Sequence, residues 1–390
     1  MICSLLDNDL YKLTQMQAVL HQFPGANVEY RFVCRSPDID FSKAFPLIKD
    51  SIRRLCDLTF FPDELDYLSS LRVFKPDFID FLRTFRLQER YLHLSADSSG
   101  PLNLTIAGPW LQTILFEVPL LAIISESYCH SRIIDTTAYD KNITCGMGKL
   151  STKLSDLKAR FLPSEFKFVD FGTRRRFGFN WHKFVVDQCR HSYNFYGTSN
   201  LYFAKEYNLR SMGTMAHEWP QAGQSLTHVA DSQKLMLQKW ADEYRGNLGI
   251  ALSDTVGVDA FIRDFDLYFA KLFNGCRQDS GDPVQWAAKI LLMYNRLGID
   301  PKTKTIVFSD GLSLPEAVKI YKTVHSDFGR VLFGIGTNLT NDFDLPALNM
   351  VIKMVSCNGR PVAKISDSPG KTICDDEKYL AYLKSQFKIA

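Results

Sequence analysis

His217 lies near the end of the run Ser211-Met212-Gly213-Thr214-Met215-Ala216-His217-Glu218-Trp219, in which small residues form a strand-to-turn junction and a carboxylate follows the imidazole at once. An imidazole so placed can act as a general base or as a nucleophile that accepts a phosphoryl group. The chain has eight histidines, and for most of them a satisfied core position is the simpler reading. What sets His217 apart is its strand-end setting and Glu218, a carboxylate that would either orient the ring or sit on the surface.

Three further turns follow short apolar runs and carry groups suited to anions. Asp170-Phe171-Gly172-Thr173-Arg174-Arg175-Arg176 joins an aromatic face, able to stack on a flat ring, to guanidinium groups that bind carboxylate or phosphate in two-pronged fashion. Arg174, close to Phe171, is the candidate ligand; Arg175 and Arg176 read as a solvated basic turn. Arg277-Gln278-Asp279-Ser280-Gly281-Asp282-Pro283 opens a helix with a guanidinium and two carboxylates, of which Asp279 is the candidate for sugar hydroxyls or Mg²⁺ and Asp282 the helix cap. In Phe333-Gly334-Ile335-Gly336-Thr337-Asn338 the two glycines would let backbone N–H groups approach an anion, or make a tight turn without a ligand. Gly311, in Ser309-Asp310-Gly311, supplies a second small turn of that kind.

The elements that must hold these turns are legible in the pattern. Asn27–Cys34 and Leu102–Ile106 alternate apolar and polar residues like half-exposed strands, and with the helical stretches between them they describe an α+β layer. From about Lys167 the rhythm becomes short apolar strand, polar turn, helix. Strands are expected at Phe166–Val169, Leu248–Leu252, Thr305–Phe308 and Arg330–Phe333, and helices at Ser225–Tyr244, Val256–Phe273, Pro283–Leu297 and Leu314–His325. That alternation implies a parallel sheet, closed or open, with ligands at the carboxyl ends of its strands. The segment from about Met350 is expected to rejoin the N-terminal layer.

Composition narrows the class. With 390 residues, two domains are expected, and a net charge of +3 without a long basic run argues against a nucleic-acid surface. The longest apolar stretch, near Leu111–Ser125, is interrupted by Glu117 and Pro119 and falls short of the roughly 20 residues that cross a bilayer, so no membrane anchor is expected. Nine scattered cysteines, with no Cys-x-x-Cys pair, suit neither a disulfide framework nor a zinc site. With no secretory signal evident at Met1–Asp7, a cytoplasmic enzyme is expected.

Taken in order, Leu6–Thr14, Val28–Arg35, Val169–Gly178, Gly197–Asn200, Gly213–Trp219, Ser253–Thr255, Arg277–Pro283, Ser309–Gly311, Gly334–Leu339 and Lys364–Lys371 resemble the motifs of the nicotinate phosphoribosyltransferase family over nearly the whole chain. The resemblance implies an α/β fold: an irregular α/β barrel (131–349) beside an α/β sandwich built from both chain ends (1–130 and 350–390). It implies formation of nicotinate mononucleotide and pyrophosphate from nicotinate and phosphoribosyl pyrophosphate in NAD biosynthesis, with ATP as co-substrate, Mg²⁺ as cofactor, and a homodimer with shared sites. By the same resemblance Phe171 stacks on the pyridine with Tyr11 on the other face, from the same chain or a partner, and Arg174 meets the nicotinate carboxylate or the pyrophosphate. Ser199 stands where nicotinamide-using relatives carry an aspartate, which favours nicotinate. Gly311, Gly336 and Thr337, beside Gly334, cradle the 5′-phosphate. Asp279 and Asp254, with Arg277 in the same loop set, hold ribose hydroxyls and a metal-bridged pyrophosphate. His217 becomes a phosphohistidine, with Glu218 beside it.

Overall fold

Two sheets organise the chain in a computed structural model that describes residues 1–96, 100–132, 136–213, 215–368, 372, 374 and 376–389, with side chains omitted at 136–139. Thr214 and residues 369–371 of the sequence motifs lie outside these residues. The first sheet is antiparallel and contains β1 (Asn27–Cys34), β2 (Leu92–Ala96), β3 (Leu102–Pro109), β10 (Met350–Cys357) and β11 (Arg360–Pro361), in the order β11-β10-β1-β3-β2. The second holds β4 (Lys167–Asp170), β5 (Phe195–Thr198), β6 (Ile250–Leu252), β7 (Gly275–Gln278), β8 (Thr305–Phe308) and β9 (Arg330–Ile335), all parallel, in the order β5-β4-β9-β8-β7-β6.

Each sheet follows from its residue pattern. In β1 Val28, Tyr30 and Phe32 are buried while Asn27 and Arg31 are exposed, the period-two signature of a sheet with one covered face. β10 pairs with β1 along Val28–Cys34, so a strand from the far end of the chain completes the N-terminal sheet. Beyond β11 the chain crosses over: Ile365 bridges Val256, and Leu383 and Phe387 of the last helix, Glu377–Phe387, join Val229, Val256 and Ala260 in a small separate core. In the parallel sheet Val169, Ile306, Phe308, Val331 and Phe333 are buried, as strands covered on both faces require.

Two expected helices are each divided in two. The stretch 225–244 breaks between Glu218–Leu226 and Ser232–Tyr244. The stretch 256–273 breaks because the Asp266 side chain accepts from the N–H groups of Tyr268 and Phe269, capping a second helix, Leu267–Leu272. By contrast Ser313 caps Leu314–Val324 as expected, in a full capping box with Glu316.

The apolar stretch around Glu117 and Pro119 runs through without interruption. Trp110–Arg132 forms 23 continuous helical residues, long and apolar enough to cross a membrane by length and composition, but 94% of its apolar window is buried inside this fold. Pro119 is the third residue of the α-helical segment Glu117–Arg132, directly after the 3₁₀ turn Ile114–Phe116, so its missing N–H falls where one helix type gives way to the other, and the Glu117 carboxylate is neutralised by the fully buried ammonium of Lys12 at 2.6 Å.

Candidate active site

His217 is the residue before the helix Glu218–Leu226, and this helix start places its ring at the carboxyl ends of β6 and β7. There Nε2 lies 2.9 Å from Oδ1 of Asp254 and Nδ1 3.8 Å from Oδ2 of Asp279. Asp254 follows β6, and its other oxygen accepts from Ser280 Oγ at 2.7 Å and from Lys364 Nζ at 2.8 Å. An ionised Asp254 can only accept, so it fixes the tautomer with the proton on Nε2 and the lone pair on Nδ1.

The charge states follow from burial and from two lysines. Burial, reinforced by the positive charge of Lys364, lowers the His217 imidazole to about 4, so the ring is neutral at neutral pH. Burial would raise Asp254, but His217 and Lys364 outweigh it and hold the carboxyl well below the usual carboxylate range. Asp279 is held down to about 2: burial opposes ionisation, and the guanidinium of Arg277 at 3.2 Å and His217 override it. Lys353, on β10, is lowered to about 8 by burial and by repulsion from Lys364.

His217, Asp279 and Lys353 line a 40 Å³ cavity together with Tyr11, Tyr30, Glu117, Arg174, Glu218 and Arg277, while Asp254 and Lys364 stand behind the imidazole, outside its lining. That is little more than room for one water, so substrate phosphates enter only as the walls part. His217, Asp279, Arg174, Arg277 and Tyr11 are therefore brought together as the motifs imply. Lys353 and Lys364 join the site without a role that the sequence pattern assigns them. The one signal for Lys353 is a lysine inside the otherwise apolar run Met350–Val355, and Lys364 was visible only as the first residue of a motif.

Several assigned residues do something other than expected. Glu218 neither orients His217 nor lies on the surface: its carboxylate takes Lys12 Nζ at 2.5 Å and Tyr30 Oη at 2.6 Å in the buried core. Lys12 thus bridges Glu117 and Glu218, and one ammonium does not compensate both equally. Burial, reinforced by the charge of Glu117, raises Glu218, whereas Glu117 is held down to about 2 against burial by Lys12 and Arg174. Asp254 is fully buried and committed to three partners, which leaves Asp279, 22% exposed at its side chain, as the carboxylate open to a substrate. Arg176 is no solvated basic turn: it is fully buried in a two-pronged pair with Asp7 at 2.7 and 2.8 Å.

Ser199 is buried and donates to Asp9 Oδ1 at 2.8 Å, as does Thr173. The region around residue 199 therefore holds a carboxylate after all, supplied by Asp9, and the Ser199 hydroxyl is already engaged. Gly334 is buried within β9, and a methyl group there would lie 2.3 Å from Cδ2 of Phe171, so this glycine seats the aromatic ring and offers no anion cradle. Gly336 precedes the short helix Thr337–Thr340, and Asn338 Nδ2 donates to the Gly311 carbonyl at 2.9 Å, which draws the loops after β8 and β9 into one half-exposed cluster.

A family model described as the nicotinate phosphoribosyltransferase (NAPRTase) family matches residues 166–390, and one for the NAPRTase N-terminal domain matches residues 6–125. The chain belongs to the nicotinate phosphoribosyltransferase family. A nicotinate phosphoribosyltransferase of Ralstonia nicotianae is 50% identical over 393 residues, covering 100% of this chain and 99% of that protein. One from Xylella fastidiosa is 51% identical over 394 residues, covering 100% and 98%. The crystal structure of the nicotinate phosphoribosyltransferase of Vibrio cholerae superposes with a TM-score of 0.94 at 36% identity, covering 100% of this chain and 95% of that one. Membership carries the activity for which the family is named, transfer of a phosphoribosyl group to nicotinate, a step of NAD biosynthesis.

Proposed function

We propose that this nicotinate phosphoribosyltransferase couples formation of nicotinate mononucleotide and pyrophosphate to ATP through a transient phosphate on Nδ1 of His217. The observation that carries the reading is the Asp254–His217 pair at 2.9 Å, which keeps Nδ1 unprotonated and facing Asp279 and the cationic wall. Nδ1 attacks the γ-phosphorus of ATP, the N–P bond forms, the bond to the ADP oxygen breaks, and Nε2 keeps its proton against Asp254. The added negative charge lies among Lys353, Arg174 and Arg277, which it draws inward and so biases toward binding phosphoribosyl pyrophosphate. Water later attacks phosphorus and releases phosphate, restoring the free imidazole.

Mg²⁺ fits this site in one way. His217, Asp254 and Asp279 form a group of three possible ligands, but Nε2 and both Asp254 oxygens are already bonded, so Asp279 Oδ2 is the oxygen left to share a cation with substrate phosphates. Bound there, Mg²⁺ would neutralise phosphate charge beside the Asp279 carboxylate. Arg174, 3.4 Å from Glu117, presents the remaining guanidinium edge to an anionic ligand, either the nicotinate carboxylate or the pyrophosphate. Gly311, Gly336 and Thr337 are assigned to the 5′-phosphate.

Phe171 is assigned to the pyridine ring. A stack of this kind contributes about 0.5–1.5 kcal/mol, so Gly334→Ala, which forces the Phe171 ring to move, is expected to raise KM for nicotinate roughly 2- to 12-fold with a smaller change in kcat. An unchanged KM would remove Phe171 from this role. Within one chain Tyr11 and Phe171 line different cavities, which supports a homodimer in which a second chain supplies the opposite face. Nine free thiols support a reducing compartment, the cytoplasm.

The test of the coupling is labelling with γ-phosphate-labelled ATP. Wild-type protein is expected to form an acid-labile, base-stable phosphoenzyme and His217→Ala none, with ATP stimulation of turnover lost by roughly 5- to 150-fold, the span of coupling energies between sites. Equal labelling and equal stimulation in His217→Ala would refute it.

A further inference from the structure

A parallel sheet is ordinarily covered by packed side chains on both faces. Here one face is not fully covered: a cavity of 430 Å³ runs along the six-stranded sheet, whose order leaves β5 and β6 as its edges. Its wall is the inward-facing, period-two set of the strands and the residues leading into them, Leu248 and Ile250, Thr305 and Val307, with Val169 and Leu332. The volume falls in the range of about 300–1,000 Å³ typical of small-molecule sites. One end is closed by Phe171 and Arg277, and Arg277 also lines the His217 cavity, so a single guanidinium partitions the two.

The opposite end, at the amino-terminal side of the strands, is cationic. Arg210 and Arg330 both donate to the hydroxyl of Tyr196, Arg330 at 3.0 Å, and both guanidinium carbons lie over that ring, 4.5 and 5.7 Å from its centroid. Among the described residues neither has a carboxylate within ion-pair distance. Two exposed like charges held on one phenol at the mouth of an apolar cavity form a receptor for an anion with an apolar body.

We infer that this cavity along the parallel sheet is a second binding site, which takes a small aromatic monocarboxylate from the end opposite the His217 site. The carboxylate lies between Arg210 and Arg330 and the ring lies along Val307 and Leu332. Its far end abuts Phe171 and Arg277, so occupancy restricts both. The effect on nicotinate rests on Phe171 carrying the pyridine; binding at the mouth does not.

The probe is cinnamate, with uncharged cinnamamide as control, titrated calorimetrically into the full-length protein. Cinnamate is expected to bind the wild type, and the double variant Arg210→Gln/Arg330→Gln to bind it at least about tenfold more weakly, as loss of charge-assisted bonds requires. Cinnamamide is expected to bind like cinnamate in the double variant. In assays, cinnamate is expected to raise KM for nicotinate in the wild type and not in the double variant, whose own KM stays unchanged. Absence of cinnamate binding to the wild type, or equal binding by the double variant, overturns the inference. Binding abolished by Phe171→Ala but unaffected by Arg210→Gln/Arg330→Gln overturns it too, since the probe then occupies only the pyridine site. If cinnamate binds at the mouth but leaves KM alone, the occupancy stands and its predicted reach to Phe171 is overturned.

Discussion

Asp254→Asn is expected to cut phosphoenzyme formation by about 10⁴-fold, the scale on which an aspartate-to-asparagine change acts in an analogous histidine pair by stabilising the wrong tautomer. In the wild type the carboxylate can only accept, so Nε2 carries the proton and Nδ1 carries the lone pair. An asparagine amide can donate to Nε2 instead, which moves the proton to Nδ1 and removes the nucleophile. Single-turnover transfer of labelled phosphate measures this directly. A variant that folds normally and labels within tenfold of wild type would mean that Asp254 does not set the tautomer.

The same pair predicts the pH dependence. Because burial and Lys364 lower His217 to about 4 from an ordinary 6.5, the neutral nucleophile persists through the weakly acidic range, and the acid limb of phosphorylation is expected near pH 4. An exposed imidazole would put that limb near 6.5. For stability the sign is the same. The unfolded imidazole takes up a proton as pH falls through 6.5 while the folded one resists until about 4, so His217 contributes stability above 6.5 that is lost between those two values.

Arg176→Met carries the largest expected cost in folding, about 3–5 kcal/mol, because it leaves the Asp7 carboxylate buried and uncompensated. In the wild type burial would raise Asp7, and Arg176 outweighs it to hold the carboxyl below its usual value. That contribution is present above the ordinary carboxylate range and is lost as pH falls below it. Chemical unfolding measures the loss, and the double variant Asp7→Asn/Arg176→Met is expected to recover part of it by removing the stranded charge. Stability within 1 kcal/mol of wild type in the single variant would show that the pair contributes little. The consequence reaches the site, since Asn200 also donates to Asp7 and Ser199 and Thr173 hold Asp9 two residues on.

The linear pattern of residues was enough to determine the alternating strands and helices from Lys167 onward, because period-two and period-3.6 burial are local consequences of backbone geometry. Thr305–Phe308 and the Ser313 cap could be read directly for that reason. β5 and β7 could not: Phe195–Thr198 and Gly275–Gln278 are four-residue strands whose place comes from parallel partners far away in sequence. The motifs likewise marked His217, Asp279, Arg174 and Arg277 as a set.

What side chains do within that set was decided only in three dimensions. Glu218 follows His217 in sequence, yet a helix start turns successive side chains in different directions, so Glu218 meets Lys12 and Tyr30 while Asp254, from another strand, meets the imidazole. Arg176, two residues after Arg174, reads along the chain as part of a solvated basic turn, but Arg174 lines the cavity and Arg176 is sealed onto Asp7. Sequence specifies which groups are available and which elements carry them. Long-range packing chooses their partners, because the free energy of a buried charge depends on what lies within a few ångströms of it, wherever that neighbour falls in the chain.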